Sequence, residues 1–216
     1  MFDITNTESQ PVLRDSAVVD GRTARRARNR AAVLDALIEL AREGQDEPAV
    51  ELIAERAGVS YRSVYRYFDD RTELMLAALG RLMEDVWPAL DPEAAVVGTF
   101  DERTAAIVGD RVRIYRKLSP LGRVAVHRRA HEPLVAEQYD RLRERLRQRL
   151  AAQFEPELAA LSDGDRALAL ASIEVAFQFD ALDYLVRRRE MTDEQLEQVL
   201  TRQLRAHLAP GATSGS

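Results

Sequence analysis

From about Thr23 to Leu208 the apolar residues of this chain recur at steps of three and four, and no segment alternates as a strand would. That periodicity restricts the chain to an all-α fold, with glycine and proline as the breaks between helices. A first helix is expected from about Thr23 to Glu43, with Ala32, Leu34, Leu37, Ile38 and Ala41 as its inward stripe and Gly44 behind it. A short second helix starts near Pro48, carries Val50, Ile53, Ala54 and Ala57 inward, and ends at Gly58. Ser60 caps a third helix whose inward residues are Val64 and Phe68. Asp70 with Glu73 caps a fourth that runs to about Trp87, where Pro88 and Pro92 break it. Residues 89–99 read as the boundary between a head and a body. Further helices follow near 101–118, 120–131, 133–153, 163–190 and 192–208. Residues 1–20 are expected to be disordered and 211–216 to form a flexible tail. The expected organisation is a three-helix head over 21–70 and a helical body over 71–210.

Composition narrows the class. Hydrophobic residues make up 46% and charged residues 31%, which suits a packed globular chain. No apolar run reaches the roughly 18–20 residues of a membrane span. The first ten residues lack the basic and apolar regions of a secretory signal. Cysteine is absent, which removes disulfides and thiolate chemistry and fits a cytoplasmic location. There is no glycine-rich phosphate loop and no Gly-x-Ser-x-Gly, so nothing points to an enzyme or a bound cofactor. His127 and His131 have the i, i+4 spacing of metal ligands. Arg123, Arg128 and Arg129 surround them and oppose a cation, so no metal is expected; this basic run is a solvated face or a seat for an anion.

The net charge of −5 argues against a polyanionic partner, but the distribution matters more than the sum. Residues 22–30 hold Arg22, Arg25, Arg26, Arg28 and Arg30 with no acid. Arginine at a helix start opposes the helix dipole, so this arm has another use. Downstream, residues 48–76 read PAVELIAERAGVSYRSVYRYFDDRTELML. Two short helices joined by a glycine turn form a helix-turn-helix, which projects its second member outward to fit a DNA major groove. Its outward residues are Tyr61, Arg62, Ser63, Tyr65, Arg66 and Tyr67. Arginine can bond guanine in bidentate fashion, and serine and tyrosine hydroxyls bond phosphates. The free N–H groups that follow Ser60 and Asp70 favour phosphate as well. The candidate DNA contacts are therefore Arg25, Arg26, Ser60, Tyr61, Arg62, Ser63, Tyr65, Arg66, Tyr67 and Arg71.

The stretch GVSYRSVYRYFDDRTELM resembles the signature of the tetracycline-repressor (TetR) family of transcription regulators. Its marks are the Gly-Val-Ser turn, the Tyr-x-Tyr-Phe end of the recognition helix and a basic residue opening the fourth helix. The close resemblance covers roughly residues 25–80. It implies a homodimer with recognition helices about one DNA turn apart, and a divergent body that holds an inducer. It also implies that Tyr61, Arg62 and Ser63 meet bases, that Tyr65, Tyr67 and Arg71 meet the DNA backbone, and that Phe68 is core. Ala49-Val50-Glu51 departs from the pattern where the family often carries hydroxyl and basic residues.

In the body, residues 167–186 are apolar nearly all round, as in a helix buried on more than one side. Leu196, Val199, Leu200, Leu204 and Leu208 form one stripe on the last helix. Helices 163–190 and 192–208 are the expected dimer interface, where the family places its own. Trp87, Phe100, Ile107, Tyr115, Leu118, Phe177 and Tyr184 are the candidate contacts to an unidentified small-molecule effector. Asp180 and Asp183 are expected to pair with Arg187 or Arg188 across the dimer, or to hold a cationic ligand. The expected function is thus a ligand-responsive DNA-binding repressor with double-stranded DNA as partner. The alternative is a helical protein-interaction module with no DNA selectivity.

Overall fold

The computed structural model describes residues 14–94 and 97–209; the expected tail at 211–216 and the first part of the N-terminal extension lie outside them. Ten α-helices and two short 3-10 turns make up the described chain, with no strand among the described residues. The head consists of α1 (Arg14–Arg42), α2 (Val50–Arg56) and α3 (Tyr61–Tyr67), and α4 (Arg71–Met83) leads out of it. Turns at Trp87–Leu90 and Pro92–Ala94 precede the body: α5 (Phe100–Arg128), α6 (Pro133–Gln153), α7 (Glu155–Ala159), α8 (Asp163–Ala176), α9 (Phe179–Arg189) and α10 (Asp193–Leu208).

Local signals set the ends of the head helices. Gly58 has φ +66°, a left-handed conformation that glycine adopts without a Cβ penalty, and so turns α2 into α3. Ser60 Oγ accepts from the Ser63 N–H at 3.2 Å, and Asp70 Oδ1 accepts from the Glu73 N–H at 2.8 Å. The reciprocal bond of that second cap runs to the N–H of Asp69, one residue earlier than a strict capping box.

Several helix boundaries differ from the sequence reading: α4 ends at Met83, short of the expected Trp87, and Pro88 and Pro92 lie inside the two 3-10 turns. α1 starts at Arg14, inside the segment expected to be disordered. α5 runs unbroken through Pro120, where a stop was expected. Proline there removes the N–H that would bond the Arg116 carbonyl. The Ser119 hydroxyl donates to that carbonyl instead, at 3.2 Å. The expected single helix at 163–190 breaks at Phe177 and Gln178 into α8 and α9. The freed Phe177 carbonyl accepts from Arg111 Nε at 2.6 Å, a bond that only the tertiary fold supplies.

Two apolar clusters hold the chain. One joins α1–α4 to Ile114, Leu118 and Leu121 of α5, so the core of the head continues into the body through α4. The other packs α5 and α6 against α8, α9 and α10. Leu196, Leu200, Leu204 and Leu208 are buried in this second cluster. The leucine stripe of α10, expected at a subunit interface, is therefore intrachain core.

Candidate nucleic-acid interface and effector cavity

The third helix turns one face outward and one inward. Tyr61 is 47% and Tyr65 43% exposed, and their rings meet edge to face at 5.0 Å. The neighbouring Tyr65 phenol raises the Tyr61 phenol above its ordinary value. Arg62 and Arg66 are exposed beside them. Tyr67, expected outward, is only 7% exposed. Val64, Tyr67 and Phe68 follow the i, i+3, i+4 spacing of a buried face, a signal present in the sequence. The Tyr67 hydroxyl accepts from Asn29 Nδ2 at 3.3 Å and from Arg66 Nη2 at 3.2 Å. These bonds hold the phenol below its ordinary value. Tyr67 therefore ties α3 to α1 rather than facing outward.

A polar groove runs between the N-terminal half of α1 and the start of α3. Arg22, Arg25, Arg26, Ser60, Ser63 and Arg66 line it, and no carboxylate does. Among the described residues Arg22, Arg25, Arg26, Arg62 and Arg66 pair with no acid. Elsewhere the chain neutralises many of its arginines. Arg56 grips Glu43 with two bonds of 2.8 and 3.0 Å, Arg81 grips Asp35, and Arg103 grips Glu157. An acidic chain can thus present a cationic strip, because its acids lie elsewhere or are already paired. The Ser60 oxygen is used in its cap and in a 2.8 Å contact with the Ser63 hydroxyl. Arg71 donates through Nη2 to the Pro48 carbonyl at 3.0 Å, bracing the start of α2.

The basic run at the end of α5 is neutralised and structural. Arg123 reaches Asp46 at 2.8 Å and Arg128 reaches Glu47 at 3.0 Å, so α5 holds the loop between α1 and α2. Thr72 donates to Glu132 at 2.6 Å, tying α4 to the turn before α6. Asp180 pairs with Arg129 at 3.0 Å, and Asp183 accepts from the Tyr115 hydroxyl at 3.1 Å. Within the single chain the two acids thus meet Arg129, just past the end of α5, and Tyr115 of α5. Burial pushes the Tyr115 phenol up to about 12.

On the opposite side of α5 lies a cavity of about 280 Å³. Leu76, Leu79 and Met83 of α4, Leu118 and Gly122 of α5 and Phe179 of α9 form much of its apolar wall. Gln138 and Tyr139 of α6 supply its polar atoms. Of the residues expected to touch an effector, Trp87 and Leu118 line this cavity, and Ile107 and Phe177 line a smaller recess beside it. Phe100 instead packs on Phe154, Tyr115 is core, and Tyr184 faces outward. Gly122 and Phe179 were not anticipated: a Cβ on Gly122 would lie 2.5 Å from the Phe179 ring, so this helix–helix approach needs glycine.

Residues 33–78 match the sequence model of the family described as bacterial regulatory proteins, tetR family. The likeness to that family thus lies in the head. The matched residues span the last third of α1, all of α2 and α3, and the first part of α4. The chain is 38% identical over 91 residues to the HTH-type transcriptional repressor KstR of Mycolicibacterium smegmatis, covering 41% of this chain and 44% of that protein. It is 34% identical over 116 residues to KstR of Mycobacterium tuberculosis, covering 49% and 52%. The chain thus spans about half the length of the curated relatives it matches. Its fold is similar to that of a transcriptional regulator from Rhodococcus sp. Rha1, with a TM-score of 0.64 and 22% identity over 88% of this chain and 99% of that one. A tetR-family regulator from Streptomyces coelicolor matches equally well, with a TM-score of 0.64 and 22% identity over 86% and 85%.

Proposed function

We propose that this protein is a dimeric, effector-responsive transcription repressor of the cytoplasm that binds a two-fold-symmetric DNA operator. The observation that carries the reading is the acid-free arginine groove beside the exposed face of α3. Arg62 and Tyr61 read base edges in the major groove, and Ser63 supports them at the helix start. Arg25, Arg26 and Arg66 hold phosphates along the groove, and Tyr65 contacts the backbone. Ser60 and Tyr67 position α3, and Arg71 positions α2. The repressor sense follows from the two KstR relatives, which are named as repressors.

Dimerisation is supported by α8 and α9, where Leu168 and Val175 are 68% and Tyr184 is 55% exposed in the single chain. Response to an effector is supported by the cavity and its surroundings. Its walls belong to α4, α5, α6 and α9, and α5 grips the α1–α2 loop through Arg123 and Arg128 from its other side. A ligand that displaces α5 therefore moves the head, and only one head spacing matches successive major grooves. Among the described residues no helix is long and apolar enough to cross a membrane.

Selection of binding sites from random duplex DNA tests the reading, with protein unfolded, dialysed and refolded to remove any bound effector. The expected result is a palindromic site whose occupancy falls steeply as salt rises. Sequence-independent binding at low and high salt alike, or no binding, would instead leave a helical interaction module.

A further inference from the structure

A second, smaller recess lies next to the cavity along α5 and α6. Along α5, Leu118, Gly122 and Ala125 line the cavity, and Ile107, Arg111 and Ile114 line the adjoining recess. Along α6, Tyr139 and Leu142 line the first, and Leu146 and Leu150 the second. The two hollows therefore follow one another along the groove between α5 and α6. The recess measures about 30 Å³, roughly the room of two waters or one carboxylate.

Arg111 sits in this recess at 3% exposure. Its Nε donates to the Phe177 carbonyl, and among the described residues no carboxylate pairs with it. Asp110, which lines the same recess, is engaged by Arg113. Glu174, also on the wall, acts on Arg147. Arg143 and Arg147, also on the wall, reach Asp140 and Glu144 of their own helix, whereas Arg111 is buried with a carbonyl rather than a carboxylate as its partner. A guanidinium has five N–H donors, and the Phe177 carbonyl takes only one of those on Arg111. A buried charge without a counter-charge is costly to maintain, and burial lowers the Arg111 guanidinium to about 10.

We infer that the body binds an amphipathic organic anion, whose apolar part fills the cavity among α4, α5 and α6 and whose carboxylate pairs with Arg111. The inference rests on the reading of the body as an effector domain and specifies the chemistry of that effector. The carboxylate takes the Nη donors of Arg111 while Nε keeps the Phe177 carbonyl. The ligand thereby bridges α5 to the break between α8 and α9. Charge-assisted bonds of this kind discriminate strongly against a neutral analogue of the same length.

Titration calorimetry with octanoate and 1-octanol on the refolded full chain tests this, together with the variants Arg111→Met and Arg111→Lys. Octanoate is expected to bind the unaltered protein at least tenfold more tightly than octanol. Arg111→Met is expected to erase that preference while still accepting octanol, and Arg111→Lys to keep much of it. Equal binding of acid and alcohol, retention of the acid preference in Arg111→Met, or no binding of either probe overturns the inference. Operator affinity is read in the same samples. Octanoate that binds through Arg111 without changing operator affinity would uphold the anion site and remove the effector reading.

Discussion

Two glycines inside α5 offer a controlled test of how the cavity wall is built. Glycine within a helix is less favourable than alanine by about 0.8–1 kcal/mol. At Gly109 an added Cβ meets nothing within 4 Å, so Gly109→Ala keeps that whole gain. For a chain of this size a gain of about 1 kcal/mol raises Tm by roughly 2–4 °C. At Gly122 the same Cβ would lie 2.5 Å from two atoms of the Phe179 ring. That ring is buried and rests 5.4 Å from the ring of Tyr115, so it cannot retreat in that direction. Overpacking of this kind costs about 1–3 kcal/mol, which cancels or exceeds the helix gain. Gly122→Ala should therefore melt about 2–12 °C below Gly109→Ala at equal protein concentration. Relief lies on the cavity side, so the displaced ring takes volume from the 280 Å³ space. Octanoate affinity should fall at least tenfold in Gly122→Ala and stay unchanged in Gly109→Ala. Equal melting temperatures and equal affinities for the two variants would refute the contact between α5 and α9 as the cavity wall.

Three further outcomes follow from the head and the body. Arg62→Ala should relax base preference at one position of each half-site by about 1–3 kcal/mol, whereas Arg26→Ala should weaken all sequences alike and lower the salt slope by about one, both measured by titration against operator and scrambled duplexes. Tyr67→Phe removes the acceptor used by Asn29 and Arg66 and should cost about 1 kcal/mol of stability without changing base preference, as read by denaturant unfolding and the same DNA titrations. The hydrogen bond from Arg103 holds Glu157 below its ordinary 4.5, so the stability it contributes is present above that pH and is lost as pH falls through the lower, folded value. Glu157→Gln should flatten that acid limb of the stability–pH curve, and an unchanged limb would show that the pair carries none of it.

The coupling proposed between cavity and head has a plain physical basis. The core cluster of the head includes Ile114, Leu118 and Leu121 of α5, and Leu118 also lines the cavity. The polar side of α5 adds Arg123 to Asp46 and Arg128 to Glu47. A displacement of α5 is therefore transmitted by both packing and charge to the loop that sets α2 and α3. Packed interfaces of this sort shift between discrete arrangements rather than deform smoothly.

The amino-acid sequence by itself determined the helical class, the head and its turn. Those features rest on neighbours in the chain: the period of apolar residues, the Gly58 turn, and the caps at Ser60 and Asp70. The exposed Tyr61, Arg62, Tyr65 and Arg66 were legible for the same reason, and the buried Tyr67 could have been read from its spacing to Val64. Tertiary structure decided what depends on distant partners. Pro120 stays inside α5 because a local hydroxyl and packing on both sides offset the missing N–H. The chain breaks at Phe177 and Gln178, where buried Arg111 receives the freed carbonyl from 66 residues away. The acids Asp46, Glu47, Asp180 and Asp183 look alike in the sequence, and only the fold assigns each its partner on α5 or just past its end. A charge in an apolar stripe, such as Arg111 between Ile107 and Ile114, reads as a surface residue until the fold closes over it.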